Sequence, residues 1–159
     1  MIDRPEVRLA MPARPEGVGV VRQALVGVAD SLALDGAVLS DAKMAVTEAC
    51  TNSVIHAYVA QPAPADRLAV EMYADEVQLT VVVRDDGTGI PENGEPSGEG
   101  ALGLGLPLIQ ALSDTFELIS EGAGTEVRMG FLYERQADPA DENPITGGPG
   151  TDGRWDSDA

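Results

Sequence analysis

VTEACTNSVIHAY, residues 46–58, lies in a segment whose apolar spacing predicts a helix, with an N-cap at Ser40 or Asp41 and an end near Tyr58. Ala42, Val46, Ala49 and Ala57 form its inward stripe, and residues this small let a helix lie close to a sheet. Glu48, Asn52 and His56 follow the spacing i, i+4, i+8. They therefore share a second face, offset from the stripe and turned toward a cleft. A carboxylate beside an amide oxygen suits a proton acceptor next to one hard cation, because Mg²⁺ takes few protein oxygens and keeps waters and phosphates. Taken alone, the same face also reads as an ordinary solvated one, and His56 as a packing or hydrogen-bonding residue. Cys50 points well away from His56, which argues against zinc.

Working outward, Val7–Met11 alternates weakly and reads as a short edge strand. Apolar residues at Val18, Val21, Leu25, Val28 and Leu32 predict an amphipathic helix over 15–33, broken at Asp35-Gly36. Downstream, 67–73 and 77–84 form a hairpin pattern, and the run Val81-Val82-Val83 suggests burial on both sides. Residues 90–100 are rich in Pro, Gly, Glu and Ser and read as a loop. A helix over 104–112 and a final hairpin, 115–120 with 125–131, complete the order βααββαββ. That order predicts an α+β fold, a two-layer sandwich with about three helices on one face of a mostly antiparallel mixed sheet.

Two further motifs carry chemistry. VVVRDDGTGIP, residues 81–91, ends a buried strand with Asp85, followed by Gly87 and Gly89. A carboxylate there can accept a hydrogen bond from an exocyclic amine such as that of adenine, worth about 1.5–3 kcal/mol. The glycines let backbone approach a flat base. An Asp-Gly turn alone would read the same way. LGLGLPLIQALSD, residues 102–114, brings Gly103, Leu104 and Gly105 into a helix start. Unpaired N–H groups at such a start attract an anion. The segment is neither a Walker loop nor a Rossmann turn, and alone it also fits a flexible helix cap.

Composition narrows the classes. The chain has 159 residues, formal net charge −17 and one cysteine. One domain with a substantial core is expected. A disulfide scaffold is not. No apolar run spans a membrane and no leader segment opens the chain, so the cytoplasm is the expected location. So acidic a chain is a poor partner for nucleic acid or an anionic membrane. From 134 to 159 almost no apolar residues remain, and an acidic disordered tail is expected there.

As a set, Glu-x-x-x-Asn, Asp-x-Gly-x-Gly and Gly-x-Gly, closed by Gly124-Thr125, resemble the asparagine box and the two glycine boxes of the GHKL (Bergerat-fold, histidine-kinase-like) ATPases. Within them the chain is similar to bacterial anti-sigma factor serine/threonine kinases over roughly 7–132, including MPARPEGVGVVRQAL at 11–25. The resemblance implies an ATPase domain over 1–133 that binds ATP and Mg²⁺. It makes Glu48 the general base toward a partner's serine and gives Mg²⁺ to Asn52. Asp85 takes the adenine amine, with Gly87 and Gly89 shaping the pocket and Thr125 supporting Asp85 or an adenine-bound water. Gly103, Leu104 and Gly105 cover the phosphates. Arg22, and less centrally Arg14, contact partners. Those partners are an anti-anti-sigma protein, which is phosphorylated, and a sigma factor, which is sequestered; relatives commonly form homodimers. One departure stands out: no Lys or Arg occurs between Arg84 and Arg128, and Glu95 and Glu99 occupy the loop. A non-catalytic, nucleotide-gated interaction module is therefore the alternative expectation.

Overall fold

The protein is described here by a computed structural model, covering residues 4–59, 67–87, 105–120 and 124–134. The elements in chain order are β1 (Val7–Pro12), α1 (Pro15–Ser31), α2 (Gly36–Val59), β2 (Arg67–Ala74), β3 (Gln78–Asp85), α3 (Gly105–Leu112), β4 (Thr115–Ile119) and β5 (Thr125–Leu132). This is the expected βααββαββ order. The strands form one sheet in the order β1-β2-β3-β5-β4, and every pairing is antiparallel. The mixed sheet expected from the sequence is thus fully antiparallel among the described residues.

The helix boundaries differ from expectation for a local reason. Pro15 opens α1 at a position where a missing N–H costs nothing. The helix ends at Ser31, because Ala33 takes a left-handed φ of 51°. The Leu34 N–H then donates to the Ala29 carbonyl, and the Ala33 N–H to Asp30. Such a paired closure terminates a helix. Two residues later, the Asp35 carboxylate accepts from the Ala37 N–H at 2.7 Å. Asp35, rather than Ser40 or Asp41, is therefore the cap of α2, and the pair read as a breaker is the start of the longest helix.

The core lies between the helices and one sheet face. Val21, Leu25 and Val28 of α1 pack with Ala42, Ala45, Val46, Ala49 and Cys50 of α2 over Leu68, Val70, Met72, Leu79, Val81 and Val83. Val127, Met129 and Phe131 of β5 and Ile109 of α3 close it. Burial pushes the Cys50 thiol up to about 12, so it remains an unreactive core side chain at neutral pH. Ala57 and His56 fall outside the described side chains.

The opposite sheet face carries charge instead of helices. Arg8 pairs with Glu71 at 2.6 Å, Glu71 with Arg84 at 2.5 Å, Arg84 with Glu126, and Glu126 with Arg128 at 2.5 Å. The ladder crosses β1, β2, β3 and β5, and Glu117 of β4 stands opposite Arg128. Val82 points to this face yet is buried, beneath Tyr73, Arg84 and Arg128. The continuous valine run is thus covered on both sides, once by core and once by the stems of long charged residues.

Glu71 is held below the ordinary carboxylate range, chiefly by the Arg84 hydrogen bond, against the opposing effect of burial. For Glu126 burial pushes upward, but hydrogen bonds from Arg84 and Arg128 outweigh it and the direction is also down. Groups depressed in this way stabilise the fold above their unfolded values, and the contribution is lost as pH falls through the folded values. Urea unfolding should therefore show stability declining once pH drops below about 4.3. In Glu71→Gln the decline should be shallower, and stability at neutral pH lower by about 1–3 kcal/mol. An acid dependence unchanged in that variant would contradict the ladder's role.

Candidate functional site

The site is assembled at the ends of β3 and β5 and along α2. Asp85 closes β3 and stands directly opposite Thr125, the first residue of β5. Its Oδ1 accepts the Gly87 N–H at 3.1 Å, which folds the chain back over the carboxylate and orients it. Oδ2 has no partner among the described residues. Asp86 is exposed.

Gly124 holds this corner together. Its φ is +115°, and a Cβ there would lie 2.4 Å from the Asp85 carbonyl oxygen. Only glycine lets β5 begin so close to the end of β3. The Gly-Thr pair stood out in the sequence as a late motif. The resemblance already set Thr125 beside Asp85; the Gly124 contact with the Asp85 carbonyl has no sequence signal, because it depends on which strand β5 chooses as neighbour.

Asn52 lies one turn beyond Glu48 on α2. A Cβ on Gly105, the first residue of α3, would come within 2.7 Å of Asn52 Nδ2. The amide therefore rests against the N-terminus of α3, and Nδ2 is buried without a hydrogen-bond partner among the described residues. A buried amide left unpaired costs free energy unless a ligand completes it. This orphan suits a group that brings both a cation and phosphate oxygens: Oδ1 can hold the first, and Nδ2 can donate to the second.

Glu48 is half-buried and lines a groove between α1 and α2, together with Arg22. Arg14 is exposed just before α1 and provides no side-chain cap to it. The sequence-derived residues Glu48, Asn52 and Gly105 thus meet along one side of α2, and Asp85, Gly87 and Thr125 meet at the β3–β5 corner. Gly89, Gly103 and Leu104 lie outside the described residues. Lys43, absent from the sequence-derived set, lines the same groove as Arg22 and Glu48.

Known proteins resemble this chain over most of its length. The family profile of the histidine kinase-like ATPase domain matches residues 11–131. The serine-protein kinase RsbW of Bacillus pumilus is 31% identical, over 83% of this chain and 89% of its own length. The protein of the same name from Bacillus cereus is 30% identical, over 92% of this chain and 97% of its own. Among solved structures, the SiaB-SiaC complex from Pseudomonas aeruginosa matches with a TM-score of 0.63 at 14% identity, covering 80% of this chain and 90% of that one. The RsbU and RsbW domains of a Mycobacterium tuberculosis protein match at 0.59 and 20% identity. There the match covers 84% of this chain but 34% of the solved one. These two likenesses speak for the fold.

Replacing Gly124 by Ala forces a side chain into left-handed backbone and against the Asp85 carbonyl. The expected loss of stability is about 1–3 kcal/mol, read from denaturant midpoints. Unchanged stability would mean that the corner relaxes freely and does not fix Asp85.

Proposed function

The chain belongs to the histidine kinase-like ATPase domain family, and on that premise we propose that it is an ATP-dependent protein serine/threonine kinase acting as an anti-sigma factor. It phosphorylates a serine or threonine of an anti-anti-sigma protein and sequesters a sigma factor. The observation that carries this reading is the buried Asn52 Nδ2, without a hydrogen-bond partner among the described residues and resting on the start of α3, one helical turn from Glu48. The likeness to serine-protein kinases over most of their length supports it. The working domain spans 1–133, and 134–159 is an acidic appendage. The setting is cytoplasmic, in keeping with the absence, among the described residues, of a helix long and apolar enough to cross a membrane.

Each residue has a role in this reading. Asp85 spends one oxygen on the Gly87 N–H and offers the other to the exocyclic amine of adenine. Guanine presents a carbonyl at that position and would face the carboxylate with like charge. Thr125 supports Asp85 from the paired strand, and Gly89, Gly103 and Leu104 complete the nucleotide enclosure. Glu48 accepts the proton of the acceptor hydroxyl while its oxygen bonds to the γ-phosphorus. The bond to the β–γ bridging oxygen breaks, and ADP departs with that electron pair. Asn52 Oδ1 would hold Mg²⁺, which supplies neutralising charge to the phosphates when bound.

A second reading, a nucleotide-gated binding module without turnover, draws on the charge ladder. Arg84 and Arg128 bracket the cation-free stretch, and both are engaged with carboxylates on the far sheet face. Neither is free to neutralise phosphate.

Titration with Mg²⁺-ATP should show binding and Mg²⁺-GTP should not, and Asp85→Asn should weaken ATP by about tenfold to a hundredfold. Failure to bind either nucleotide would remove the basis of both readings. With an anti-anti-sigma acceptor and radiolabelled ATP, Glu48→Ala should retain nucleotide binding while phosphorylation slows by about 10²–10⁴. Undiminished transfer by that variant would reject Glu48 as the base. Absence of transfer by the wild type, with binding intact, would favour the second reading.

A further inference from the structure

The groove beside Glu48 encloses about 440 Å³ between α1 and α2. Lys43, the only lysine in the chain, lines it with Arg22 and Met44. Their state differs from that of the ladder cations. Arg8, Arg84 and Arg128 are all tied to carboxylates. Lys43 and Arg22 have no ion pair or side-chain hydrogen bond among the described residues, and neither has Glu48. In a chain of formal charge −17, two cations without partners among the described residues flank a groove that the candidate base also lines.

We propose that this groove receives the acceptor segment of the protein substrate, and that Lys43 selects a segment bearing a carboxylate near the phosphoacceptor serine. The proposal rests on the kinase reading above and adds a substrate rule to it. Lys43 precedes Glu48 by five residues, a rise of about 7.5 Å along the helix and a turn of about 140° around it, so the two side chains stand at opposite edges of the groove. Rise and turn together separate their Cβ positions by about 10 Å, roughly three residues of extended chain. A serine hydroxyl at Glu48 therefore places an acidic residue about three or four positions away beside Lys43, with Arg22 of α1 on the other wall. The Thr47 hydroxyl donates to the Lys43 carbonyl within the helix at 2.6 Å, so it does not compete for the incoming carboxylate. Met44, half exposed, offers an apolar surface to the segment between the two polar ends. The local charge opposes the overall charge: the molecule as a whole attracts bases, and this groove attracts acids.

That opposition makes the test discriminating. Two fluorescein-labelled serine peptides, identical except for Glu or Lys about three and four positions from the serine, are titrated by anisotropy against the full chain with Mg²⁺ and a non-hydrolysable ATP analogue. The acidic peptide should bind more tightly to the wild type, by about fivefold for an ion pair at a partly exposed site. Lys43→Glu should reverse the order, and Lys43→Arg should keep it. Equal binding, no binding, or a wild-type preference for the basic peptide overturns the proposal, as does an acidic preference that survives Lys43→Glu. Acidic preference without phosphoryl transfer from hydrolysable ATP would overturn the kinase reading while upholding the groove's selectivity.

Discussion

The pairing of β3 with β5 is the constraint on which the rest of the molecule depends. The two strands are not consecutive, yet they run together over their whole length and contribute Val81, Val83, Val127 and Met129 to the core. To make that pairing, the chain must leave at Asp85, build α3 and β4, and return at Thr125. Within that stretch, α3 packs against α2. Two consequences follow from one ladder. Asp85 meets Gly124 and Thr125 at the sheet end, and the first residue of α3 is carried to Asn52. Candidate-site residues separated by dozens of positions become neighbours because apolar strands chose each other.

Charge is divided between the two faces of the sheet and the groove. On the open face, alternating Arg and Glu side chains shield Val82 and replace a second helical layer. This accounts for a sheet of only five strands holding a run of three valines, which would otherwise expose apolar surface to water. The same ladder withdraws Arg84 and Arg128 from any role elsewhere. Among the described residues, Lys43 and Arg22 of the α1–α2 groove carry no ion pair, so an acidic molecule retains a local basic feature there.

The helices were legible in their existence and type, less so in their limits. Period-3.6 apolar residues such as Val21, Leu25 and Val28 revealed α1, and all three are buried. Asp35 was misread because an Asp-Gly pair is compatible with either a turn or a cap, and only the direction of the following N–H groups decides between them. The left-handed Ala33 was equally invisible, since alanine carries no preference for that backbone. The sheet was legible as hairpins, but its all-antiparallel order required knowing that β5, not β4, lies beside β3.

The sequence by itself determined the element order, the core stripes, the three motifs and the family they resemble, because each is written in local spacing and residue type. The Glu48-to-Asn52 relation needed nothing more than a helix. Only the tertiary structure decided what touches what. Asn52 rests against Gly105, Gly124 presses on the Asp85 carbonyl, Glu71 bridges Arg8 and Arg84, and Lys43 shares a groove with Glu48 and Arg22. The physical reason is that helical and strand periods act over a few residues. Close approach of glycine backbone, completion of a buried amide and pairing of charges across strands depend instead on the register of β3 against β5 and on the packing of α1 and α3 on α2.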